Sequence, residues 1–161
     1  MQIRVEESQN FTDVPLSRMR RAAELALERE GIDPSRCEVS LAFVSQDEIR
    51  EMNLRYRGKD EATDVLSFPM YESANALRRA AGSGAGAAAN GDSAPALIGD
   101  VVLCREVAKR QAEEIGHSFT EESIYLFVHS IFHLLGYDHK ESSEKHLMRE
   151  AEESILRHPD R

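Results

Sequence analysis

Twelve residues, Ile124 to Leu135, constrain this chain more than any others, because they are strongly apolar and yet too few to cross a bilayer. Drawn as a helix, the stretch is apolar on nearly every side (Ile124, Leu126, Phe127, Val128, Ile131, Phe132, Leu134, Leu135) and has little to offer water. Such a helix belongs in the middle of a core, with other elements packed round it. At 161 residues the chain is one domain's worth and can bury roughly 70% of the surface it exposes when unfolded. Ser118 and Thr120 with Glu121 and Glu122 give a helix-start signature before the run, and Gly136 stands where a left-handed C-terminal cap would go.

The surrounding pattern supplies the packing partners. Ile3 and Val5 alternate as in a short strand, and Leu16, Met19, Ala23, Ala26 and Leu27 recur at helical spacing between Pro15 and Glu30, with Gly31 as the stop. Cys37 to Ser45 alternates, with Val39, Leu41 and Phe43 on one side, and predicts a half-buried strand. A short helix is expected over Gln46 to Tyr56, a strand over Val65 to Phe68 stopped by Pro69, and a buried strand over Leu97 to Cys104. Val107 to Ile115 continues as a helix ended by Gly116. A last helix, about Ser142 to Leu156, turns an acidic face outward and Leu147, Met148, Ala151 and Ile155 inward. These elements predict an α+β fold: one compact domain over residues 1–161, a small mixed β-sheet packed with helices.

Residues 72–96 differ from the rest. Seventeen of these twenty-five are Ala, Gly or Ser, which leaves little apolar bulk to offset the entropy of ordering them. They predict a flexible insertion within the domain, with a little helix around Ala74 to Ala81. Two cysteines, Cys37 and Cys104, fall in different predicted strands and make no disulfide framework, and Met1-Gln-Ile-Arg-Val-Glu-Glu carries no secretory pattern. A reduced, cytoplasmic setting without membrane contact is expected. A net charge of −9 argues against nucleic-acid binding through overall positive charge, so any such role needs a local basic patch.

Chemistry concentrates where the buried helix ends. His129, His133 and His139 lie within eleven residues. Positions four apart share a helix face, so His129 and His133 can aim two imidazoles at one ion. Gly136 lets the chain turn sharply, and that turn can return His139 to the same point. Three imidazoles suit one Zn²⁺ and leave a fourth tetrahedral position for water. The metzincin proteases space their ligands alike, as H-E-x-x-H-x-x-G-x-x-H, but the glutamate position here holds Ser130, which cannot act as their general base. A metal hydrolase other than a peptidase therefore fits better. Arg55, Arg57 and Lys59 form the local basic patch that RNA binding would need; a solvated basic turn after a helix is the plain structural alternative.

Four stretches resemble the YbeY family of bacterial endoribonucleases: Leu54 to Lys59, Thr63 to Pro69 (Thr-Asp-Val-Leu-Ser-Phe-Pro), Ile98 to Val102 (Ile-Gly-Asp-Val-Val), and His129 to His139. The last, His-Ser-Ile-Phe-His-Leu-Leu-Gly-Tyr-Asp-His, is similar to the family's H-G-x-L-H-L-x-G-Y-D-H, with Ser130 in place of Gly and Phe132 in place of the usual Leu. The resemblance implies a zinc-dependent, single-strand-selective endoribonuclease acting in rRNA processing, including small-subunit rRNA maturation, and in ribosome quality control. It implies rRNA and small ribosomal subunit components as partners and a zinc-hydrolase-like helix bearing the histidines. Arg57 matches the family's functional arginine, while Arg55 and Lys59 would contact RNA. Tyr56 and Tyr137 can stack on unpaired bases or serve in packing. Asp138 can orient an imidazole or cap its turn; Asp64 and Asp100 match family positions and are expected to be structural. Two other readings stand beside this one: a peptidase-type metallohydrolase, and a ribosome-assembly factor with a structural zinc.

Overall fold

The computed structural model describes residues 1–6, 13–83, 94–138 and 140–159. Four strands form one sheet, β1 (Gln2–Glu6), β2 (Cys37–Val44), β3 (Val65–Pro69) and β4 (Ala96–Cys104), in the order β1-β2-β4-β3. β1, β2 and β4 run parallel, and β3 lies antiparallel to β4 at an edge. An edge is where Pro69 costs the ladder least. The helices are α1 (Leu16–Arg29), α2 (Gln46–Arg57), α3 (Ala74–Ser83), α4 (Arg105–Ile115), α5 (Phe119–Leu134) and α6 (Ser142–Leu156). The result is a single α+β domain with a mixed sheet.

Helix α5 is the apolar stretch and occupies the centre, as its lack of a polar face requires. Phe127, Val128, Ile131, Phe132 and Leu134 are fully buried. They share a core with Val39, Leu41 and Phe43 of β2 and with Met19, Ala23 and Leu27 of α1. α5 starts in a capping box: Glu121 N–H donates to Ser118 Oγ (3.2 Å) and Ser118 N–H donates to Glu121 Oε2 (3.1 Å). A smaller cluster, Ile49 with Leu66, Val102, Cys104 and Val107, joins α2 to the other face of the sheet.

Three expectations need correction. The helix expected around Ala74 to Ala81 is present as α3 (Ala74–Ser83), but it is docked and not loose: Leu77 and Ala81, four apart, put one apolar stripe into the main core. Arg78 also donates to the carbonyl of Glu30, tying α3 to the end of α1. Residues 84–93 of the expected insertion lie outside the described residues. β2 is buried on both sides over Cys37–Leu41 because it is an interior strand, and Arg4 pairs with the buried Glu38. In α6 the inward face runs Met148, Ala151, Glu152 and Ile155; Leu147, one position off that stripe, is exposed.

Candidate metal and RNA site

Helix α5 ends in a Schellman turn. Tyr137 N–H donates to the carbonyl of Phe132 (3.0 Å) and Gly136 N–H to that of His133 (3.0 Å), with Gly136 at φ +93°. The Tyr137 ring packs edge-on against Phe132, 5.2 Å between centroids, and its hydroxyl donates to Glu30 Oε1 (2.8 Å). Tyr137 is therefore a packing residue. The same turn brings the Tyr137 carbonyl to His133 Nδ1 at 2.9 Å.

A carbonyl only accepts, so His133 carries its proton on Nδ1. On His129, Nδ1 meets the carboxylate oxygen Oε1 of Glu152 at 2.5 Å, which sets the same tautomer. In the neutral rings both Nε2 atoms then hold lone pairs. They lie 3.1 Å apart, with the rings at 84° to each other. Two lone pairs at that distance repel unless a proton or cation lies between them. A tetrahedral zinc with Zn–N of 2.0–2.1 Å would set its nitrogens about 3.3 Å apart, so the pair fits that ion. Among the described residues no third His, Cys, Asp or Glu completes a ligand set, and His139 lies outside them.

The histidines form one wall of a cleft of about 570 Å³. Tyr56 and Arg57 at the end of α2, Thr63 to Phe68 on and before β3, Ser130 and Asp138 complete it. α2 stops at Gly58, φ +70°, and buried Asn53 ties the following loop back through Nδ2 to the carbonyl of Glu61 (2.9 Å). This fixes Arg57 at the rim, where it is exposed and makes no hydrogen bond or ion pair among the described residues. Arg55 and Lys59 are also exposed but do not line the cleft. Asp64 accepts from Val65 N–H (2.8 Å) and Thr63 Oγ (3.1 Å) through Oδ1, so it shapes the start of β3 as well as the wall. Ser130 is buried and donates to the carbonyl of Leu126 (2.9 Å), a bond within its own helix. Asp100 lies away from the metal pair, in a second groove on the outer sheet face with Ser40 and Glu6. Tyr56 borders both clefts, 59% exposed, with its ring edge-on to Phe68 at 5.1 Å, so it is not a core residue.

Glu152 is the site residue that periodicity alone did not single out. Its signal was its spacing: four residues after Met148 and three before Ile155, it shares their inward face.

A family model described as Endoribonuclease YbeY matches residues 3–159. The chain belongs to the YbeY endoribonuclease family. It is accordingly a hydrolase of RNA phosphodiester bonds. An endoribonuclease YbeY of Clostridium botulinum (strain Eklund 17B / Type B) is 43% identical over 157 residues, covering 96% of this chain and 92% of its own. One from Caldanaerobacter subterraneus subsp. tengcongensis is 46% identical over 136 residues, covering 84% and 82%. The solution structure of TM1509 from Thermotoga maritima matches with a TM-score of 0.61 and 26% identity, covering 96% of this chain and 87% of that one. Among the described residues no helix is long and apolar enough to cross a membrane.

Proposed function

We propose that this YbeY-family chain is a zinc-dependent endoribonuclease that cuts single-stranded RNA in the cleft between α2, β3 and α5, with ribosomal RNA as its substrate and the cytoplasm as its setting. The observation that carries the proposal is the pair of Nε2 atoms 3.1 Å apart, both tautomers set from behind, in the cleft that Arg57 overlooks. His129, His133 and His139 would hold the ion. Bound there, zinc would supply Lewis acidity and lower the pKa of a water toward neutrality.

The chain's own residues do the rest. Arg57, with its forked donors and no competing partner among the described residues, suits a phosphate and the charge that grows on its oxygens during cleavage. Tyr56 offers an exposed aromatic face to an unpaired base entering beside it, which a duplex would not provide. Arg55 and Lys59, outside the cleft, would meet phosphates of the flanking strand. The peptidase reading loses ground because the hydroxyl of Ser130 is occupied within its own helix.

The test is cleavage of single-stranded and duplex rRNA fragments by metal-replete protein, with His129→Ala as control. Cleavage confined to single strands and abolished in the variant is expected. Undiminished cleavage by His129→Ala would overturn the assignment, and a zinc-loaded parent that cuts no RNA would favour a structural zinc.

A further inference from the structure

We infer that Glu152 is the positioning residue for His129, fixing the tautomer and aim of that ring and thereby setting how tightly the histidines hold a metal ion. The inference rests on the metal-centre reading above and extends it to a residue on a different helix. Glu152 is 6% exposed, and His129 is its only hydrogen-bond partner among the described residues. A buried carboxylate with so little compensation is costly to take out of water. The same face of α6 holds Met148, Ala151 and Ile155, so packing gives no reason for an acid at this position.

Metal binding does give one. The carboxylate accepts from Nδ1, on the opposite edge of the ring from Nε2. It thereby keeps the Nε2 lone pair pointed into the cleft and makes that nitrogen a stronger donor. His133 obtains the same orientation from the Tyr137 carbonyl, a main-chain group that does not depend on the Tyr137 side chain. The two rings are thus held by two independent devices, one in the main chain and one in α6.

The molecule contains its own control. Glu122, 2% exposed, is bonded to His117 Nε2 at the start of α5, a second buried acid–imidazole pair outside the metal cleft. Removing the charge at each acid separates positioning from stability.

Zinc affinity would be measured on chelator-stripped protein by competition with a chromophoric chelator, alongside the melting temperature of each metal-free form. Glu152→Gln should weaken zinc binding 10- to 100-fold while the metal-free melting temperature stays level or rises. Glu122→Gln should leave affinity at the parental value, whichever way its melting temperature moves. Glu152→Asp keeps the charge but shortens the reach, and should fall between parent and Glu152→Gln. It also keeps the test open if the glutamine variant does not fold. Parental affinity in Glu152→Gln, or in Glu152→Asp where the former is unfolded, overturns the inference. A parent that binds no zinc, or His129→Ala binding as tightly as the parent, would instead overturn the metal-centre reading itself.

Discussion

Gly136→Ala tests how far the metal site depends on one backbone torsion. At φ +93° glycine pays no steric cost, whereas an L-residue in left-handed conformation costs about 1–2 kcal/mol. The added Cβ would meet Ser73 Cα at 3.4 Å and Glu72 O at 3.6 Å, close to ordinary contact distance, so torsion and not collision dominates. For a chain of this length, 1 kcal/mol moves the melting temperature by about 2–4 °C, which gives an expected drop of about 2–8 °C. The turn also presents the Tyr137 carbonyl to His133 Nδ1, so zinc affinity should fall with stability. Gly136→Asn, better tolerated in this conformation, should recover part of both. The assay is thermal denaturation of metal-free protein followed by zinc titration. A melting temperature within 1 °C of the parent, about the shift a few tenths of a kcal/mol would produce, would refute the torsional argument.

Arg57→Ala should cost cleavage about 10²-fold or more in rate while moving stability by less than about 0.5 kcal/mol, since the side chain is exposed and bonded to nothing described. Arg57→Lys should rescue only in part, and a lower melting point with normal cleavage per folded molecule would make the arginine a strut. Leu77→Ala should destabilise by about 2–5 kcal/mol, because Leu77 is fully buried in the main core; an unchanged denaturation curve would return α3 to the status of a loose insertion. Burial pushes the Cys37 thiol from 9.0 up to about 11, so the native state keeps that proton at a pH where the unfolded chain has lost it. Its contribution to stability is complete below pH 9 and declines between pH 9 and about 11, a slope that Cys37→Ala should reduce in denaturant titrations at stepped pH.

Most of the framework was legible because it rests on local signals. The boundaries of α6, the capping box at Ser118 and the stop at Gly136 follow from periodicity and cap chemistry. What was missed depends on contacts between distant segments. Composition predicts a flexible 72–96 with only a little helix around Ala74 to Ala81, yet one leucine and one alanine four apart are enough to dock α3. Glu152 does not stand out in sequence among the acids of α6, since acids on helices are usually solvated; only the packing of α6 on α5 shows it meeting His129. The mixed sheet was anticipated as a class, but strand order and direction are set by pairings that the periodicity of single strands does not encode. The cleft likewise joins residues 56–68 to residues 129–138, and no spacing within either stretch announces the other.

Gly99 in β4 sits at φ +155°, and a Cβ there would lie 2.4 Å from the carbonyl oxygen of Phe68 and 2.6 Å from Leu134 Cδ2. One of those neighbours is main chain of β3, the strand that walls the cleft; the other is the last residue of the histidine helix. A mutation at Leu134 can make room on the helix side, but no side-chain change elsewhere withdraws a backbone carbonyl. Genetic suppression of a Gly99 substitution should therefore be rare, and suppressors that do arise should act by shifting β3 itself. In a lineage diverging under selection, position 99 would be among the last to drift, held by the steric demands of two elements and not by any chemistry of its own.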